Sequence, residues 1–166
     1  MTGKNAVRVL LWAAVLALMA VIFTLSAQPA GESSETSSPF VELYIRLFHP
    51  EAENLPPEER FELGESASFI VRKAAHFSVY ALLGLLLAAA VSVTFSAGAV
   101  RRLLLPFLIG ALWAVSDEIH QSFVPGRSCE LRDMAIDSLG ALLGVLLFAA
   151  AARLFGSVRA RRDPRG

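Results

Sequence analysis

Residues 103–127 read LLLPFLIGALWAVSDEIHQSFVPGR. The first half is apolar enough for a membrane helix. The far end carries Asp117, Glu118, His120 and Gln121 within about one helical turn. A charge at mid-membrane opposes insertion by roughly 2.5–3.5 kcal/mol, less near an interface. The run therefore crosses a bilayer only if other parts of the chain compensate those groups.

The composition favours a membrane class. Hydrophobic residues make up 55% of the 166 and charged residues 18%, against about 25% charged in a soluble domain. The net charge is zero, which gives no global attraction to nucleic acid. The single cysteine, Cys129, excludes an internal disulfide. Three histidines without a CxxC pair give no structural zinc pattern. No internal repeat, phosphate-binding glycine loop or other cofactor motif is present, so no cofactor is expected.

Four segments have the roughly 20 apolar residues that a hydrocarbon core requires: about 9–27, 74–95, 103–123 and 134–155. The first has Lys4 and Arg8 before it, like a signal peptide. Its apolar stretch exceeds the usual 7–15 residues and no clean A-x-A follows, so it reads as a retained span. Basic residues orient the spans. Lys4, Arg8, Arg101, Arg102, Arg153 and the tail RARRDPRG (159–166) fall on one side, expected to be cytoplasmic, with the tail touching anionic lipid. The acidic segment 28–73 and the turn 124–133 belong outside. The expected fold is all-α: a membrane-embedded four-helix bundle, one domain over 1–166, both termini cytoplasmic.

The 28–73 segment divides in two. QPAGESSETSSP (28–39) is rich in Ser, Pro and Gly and reads as flexible. FVELYIRLF (40–48) is patterned as a short amphipathic helix on the outer surface. A helix starting just after Leu55-Pro56-Pro57 extends the second span outward.

Three spans place ionisable groups at one level near the outer leaflet. Lys73, His76 and Tyr80 share a face by their spacing, which Gly84 continues. Asp117, His120 and Gln121 share another, with Asp117 about 12 Å below the helix end and Glu118 about 100° away. Asp133 and Asp137 form a third stripe, continued by Gly140 and Gly144, whose small surface admits a close neighbour. Lys73 and Arg127 are candidate counter-ions, which is the compensation the opening stretch requires. Singly, each feature has a structural reading: Tyr80 as interfacial aromatic, Asp137 with Arg127 as a buried ion pair, the glycines as packing.

RKAAHFSVYALLGLLL (72–87), DEIHQSFVPGR (117–127) and the D-x-x-x-D-x-x-G-x-x-x-G pattern at 133–144 resemble the VanZ-like family of small integral membrane proteins. SAQP after the first span resembles that family's Ser/Gln-containing helix exit. Ala75 stands where the family often has Gly, and the long acidic 28–73 segment departs from its pattern. The resemblance covers about residues 20–150. It implies a link to low-level teicoplanin resistance and supports Lys73, His76, Tyr80, Asp117, Glu118, His120, Gln121, Arg127, Asp133 and Asp137 as site residues. On this reading His76, Asp117, His120 and Asp137 are the candidate acid–base groups. Lys73, Tyr80, Glu118, Gln121, Arg127 and Asp133 are the candidate ligand-binding groups. The expected partners are the lipid bilayer and a lipid-linked or peptidoglycan-related ligand, with no nucleic acid. Two other readings compete: a divalent metal site, for which HxxxH and HExxH are absent, and a structural protein whose polar cluster is an ion-pair network. Transport is weaker, since no polar path continues to the inner side.

Overall fold

The computed structural model describes residues 3–95 and 98–162. Among them there is no strand. Five helices follow in order: α1 (Gly3–Ser26), α2 (Ala30–Phe48), α3 (Pro57–Thr94), α4 (Ala99–Gln121) and α5 (Leu131–Arg162), with a 3-10 turn at Pro50–Asn54 between α2 and α3. Four of them, α1, α3, α4 and α5, are long and apolar enough to cross a membrane. At 1.5 Å per residue, the 24 residues of α1 rise about 36 Å, more than a hydrocarbon core about 30 Å thick.

α1 is integral to the bundle. Val15, Ile22 and Ser26 are buried along one face, and Leu11, Trp12, Leu18 and Met19 pack beside them against Tyr80, Leu83 and Leu87 of α3. Its other end is tied to the end of α3: Arg8 Nε donates to the Val93 carbonyl at 2.7 Å, and Trp12 Nε1 to Thr94 Oγ1 at 3.0 Å. α1 and α3 are thus antiparallel. Arg8 lies at the end of the bundle where α3 finishes and α4 begins, the end that also holds Arg101 and Arg102. Of the basic tail, residues 163–166 with Arg165 lie outside the described residues, and so does the expected lipid contact of 159–166.

The segment expected as a loop is mostly helical. α2 starts at Ala30, so the Ser-rich stretch expected to be flexible is its first half. Pro29 sits just before the helix, where no amide donor is needed. Ser34, Thr36, Ser37 and Ser38 turn their hydroxyls back onto carbonyls three or four residues earlier, which satisfies those polar side chains within the helix. α2 packs on α3. α3 begins at Pro57 with Glu58 and Glu59 in its first turn, favourable at a helix N-terminus. Its 38 residues rise about 57 Å, so roughly the first half projects beyond the apolar core.

α3 and α5 form the most extensive helix pair, and glycine decides how close they come. A Cβ on Gly144 would collide with the carbonyl of Ala81, one on Gly140 with that of Phe77, and one on Gly84 with that of Ala141. Backbones this close gain dispersion contact that bulkier side chains would prevent. α4 closes the bundle, with Pro106 buried inside it and Ala114 against the core.

Candidate functional site

The polar groups gather at the end of the bundle opposite Arg8, where α1 ends, α4 turns into α5, and α3 is in mid-course. Asp117 is 2% exposed. Its Oδ2 accepts a 2.7 Å hydrogen bond from Ser26 Oγ and a 3.4 Å bond from Gln121 Nε2. Gln121 Nε2 also donates to Ser26 Oγ at 3.2 Å. Arg127 Nη1 donates to Gln121 Oε1 at 3.3 Å, and Arg127 Nε to the Gln28 carbonyl at 3.0 Å. A continuous chain therefore runs from buried Asp117 through Ser26 and Gln121 to Arg127 and the α1–α2 turn. Ser26 was missed in the sequence. A lone serine at the end of an apolar run carries no charge or spacing signal; the SAQP resemblance was its only pointer.

A second cluster lies toward the start of α5. Lys73 Nζ pairs with Asp133 Oδ2, and Arg132 Nε lies 3.9 Å from Asp133 Oδ1. Both cations lie over the Phe69 ring, at 5.3 and 4.7 Å from its centroid. Glu118, 2% exposed, accepts the Glu130 backbone N–H at 2.7 Å. Its carboxylate thus satisfies a free donor at the N-terminal end of α5. The 100° that separates Glu118 from Asp117 turns it toward α5.

Between the clusters stands His76. Its Nδ1 lies 3.5 Å from Asp137 Oδ2. This contact holds the imidazole against a buried carboxylate. The partner of Asp137 is therefore His76 and not Arg127, as the ion-pair reading had it. Tyr80, 1% exposed, sits in the field of both Asp117 and Asp137, with its hydroxyl beside the Asp117 carboxylate. Asp117 Oδ1 and Asp137 Oδ1 are buried without a partner. An unsatisfied buried polar atom costs about 1–3 kcal/mol, so these two carboxylate oxygens beside a buried hydroxyl are a place for something that hydrogen-bonds. His120 stands apart: its ring stacks on Phe23 of α1 at 4.2 Å between centroids, and its Nε2 has no partner. Among the described residues no three His, Cys, Asp or Glu side chains converge as a metal-binding set.

His76, Tyr80, Ser26 and Arg127 also line a cleft of about 580 Å³ between α1, α2 and α3. Arg72, the neighbour of the expected ligand group Lys73, lines it too. Arg127 lies in the turn between α4 and α5. Burial, then the nearby charge of Arg72, pull its guanidinium below the ordinary arginine range, while Asp117 and Glu118 oppose that pull.

A family model described as VanZ/LLP1 matches residues 11–154, a stretch that takes in every residue of these clusters. No curated relative and no solved structure matches the chain.

Proposed function

The chain belongs to the VanZ-like family, and from that membership we propose that its polar site receives the head of a lipid-linked or peptidoglycan-related ligand at the outer leaflet. In this reading the protein lies in a bacterial cytoplasmic membrane with both termini in the cytoplasm. The basic residues at the Arg8 end support that orientation. Binding of such a ligand is the link to glycopeptide resistance.

The observation that carries the reading is the unsatisfied set beside the cleft. Asp117 Oδ1 and Asp137 Oδ1 are buried without partners beside the Tyr80 hydroxyl, and Tyr80 also lines an opening that Arg127 and His76 share. Residues serving only to hold helices together would be expected to satisfy one another. In this arrangement Arg127 holds an anionic group. His76, held by Asp137, is the group that exchanges a proton with the bound head.

A second reading has its own observation. The Lys73–Asp133 pair and the Glu118 contact at the start of α5 tie helices together whether or not a ligand binds. The test is growth under teicoplanin in a strain whose susceptibility the wild-type protein alters, with His76→Ala, Asp117→Asn and Arg127→Ala at matched protein levels. Loss of the effect at unchanged thermal stability in detergent supports the binding site. Loss that tracks reduced stability supports the structural network. Wild-type growth in all three removes the site.

A further inference from the structure

The polar network accounts for one side of the cleft and leaves the rest unexplained. Phe40, Leu43, Tyr44 and Leu47 are spaced i, i+3, i+4 and i+7, one face of α2, and all four line the opening. Ile22 and Leu25 of α1 and Val79 of α3 line it as well. Yet Phe40 is 64% exposed and Leu47 65%. Apolar surface in this position gains roughly 25 cal/mol per Å² when a hydrocarbon covers it. The cleft volume is that of a small-ligand site.

The polar lining has an unbalanced sign. Lys73 and Arg132 are both paired with carboxylates, whereas neither Arg72 nor Arg127 forms an ion pair among the described residues. The two guanidinium groups line the same cleft, and the charge of Arg72 works against that of Arg127. Two half-buried guanidinium groups lining one cleft suit a phosphate: Arg72 offers its whole fork, and Arg127, whose Nε and Nη1 are held by Gln28 and Gln121, keeps Nη2 for an oxygen.

We propose that the cleft between α1, α2 and α3 binds a lipid phosphate from the surrounding leaflet, its headgroup held by Arg72 and Arg127 and its hydrocarbon chain laid along Phe40, Leu43, Tyr44 and Leu47. This rests on the reading of the polar site as the seat of a lipid-linked head, and names the ligand's chemistry. α2 then has a role that a surface helix without a ligand would not need: it is the wall that grips the chain.

The test is native mass spectrometry of the full-length protein in non-ionic detergent, titrated separately with dioleoyl phosphatidic acid, dioleoylglycerol and inorganic phosphate. Phosphatidic acid is expected to bind at least about 10-fold more tightly than either half-ligand, since charge-assisted bonds to the head and burial of the chain act together. Arg72→Gln makes no change in the Asp117 network and is expected to weaken phosphatidic acid about 10-fold or more at unchanged thermal stability. Leu43→Ser with Leu47→Ser is expected to weaken phosphatidic acid and leave inorganic phosphate as it was. Equal binding of phosphatidic acid and dioleoylglycerol, or wild-type affinity in Arg72→Gln, overturns the headgroup assignment. Inorganic phosphate binding as tightly as the lipid overturns the chain assignment. The growth test separates this proposal from the one it rests on: wild-type phosphatidic acid affinity in Arg72→Gln, with the growth effect lost in His76→Ala and Asp117→Asn, discards the cleft alone. Phosphatidic acid binding that persists while all three growth variants behave as wild type discards the polar site alone.

Discussion

Ser26, the last residue of α1, donates its hydroxyl to Asp117 near the end of α4, over 2.7 Å and 91 residues of sequence. This bond joins the first span to a fully buried acid of the bundle. A hydrogen bond to a charged group contributes roughly 1.5–3 kcal/mol. In a double-mutant cycle of Ser26→Ala and Asp117→Asn, the two residues are expected to couple by about 1–2 kcal/mol, read from reversible unfolding in mixed micelles. Strictly additive effects would contradict the contact.

The approach of α5 to α3 depends on hydrogen atoms where side chains would otherwise stand. Gly144→Val places atoms onto the backbone of Ala81 and Leu85. It is expected to cost about 1–3 kcal/mol as overpacking, or to prevent assembly. Gly64 has nothing within 4 Å of its missing Cβ, so Gly64→Ala in the projecting part of α3 is expected to be neutral or to gain up to about 1 kcal/mol from helix propensity. The pair of thermal unfolding curves checks both signs.

Much of this architecture is written in the sequence, and the omissions have physical causes. The four long apolar segments and the glycines at 140 and 144 are visible because membrane length and small-residue spacing are one-dimensional signals. The first half of α2 is not visible. Ser, Gly and Pro favour turns in isolation, and only the packing of α2 on α3, with hydroxyls folded back onto the helix, lets the segment stay helical. Neighbouring cations cannot be told apart by spacing either: Lys73 and Arg72 differ by 100° around α3, which sends one to Asp133 and the other to the cleft. Periodicity grouped His120 with Asp117 and Gln121, but the ring of Phe23 claims it, a contact that depends on where α1 docks.

The Lys73–Asp133 pair joins α3 to α5 in a half-buried setting. Lys73→Glu or Asp133→Lys alone is expected to destabilise by about 1–3 kcal/mol, from the lost bond and the new like-charge contact. The double exchange is expected to recover at least half of that loss in the same unfolding assay. A double variant no better than the worse single would show that the pair makes no specific contact.

Arg127 pins the α1–α2 turn to the α4–α5 turn through the Gln28 carbonyl, next to the Ala30 N–H that donates to the Pro125 carbonyl at 3.4 Å. Arg127→Ala is expected to raise hydrogen exchange at the Ala30 amide by about 10-fold, the equivalent of one lost bond. Arg127→Lys is expected to restore little, because an ammonium lacks the planar fork that reaches Gln28 and Gln121 together. Unchanged exchange in both variants would contradict the role of Arg127 as the tie between turns.

In the proposed orientation the Ser26–Asp117–Arg127 end of the bundle faces outward, and Cys129, the single cysteine, lies exposed in the turn at that end. A membrane-impermeant maleimide applied to intact cells tests this without a mutation at the site. Cys129 is expected to react before permeabilisation, while Lys4→Cys in a Cys129→Ser background reacts only after it. The reverse pattern, with Cys129 protected until the cells are opened, would put the polar site at the cytoplasmic face and contradict the account.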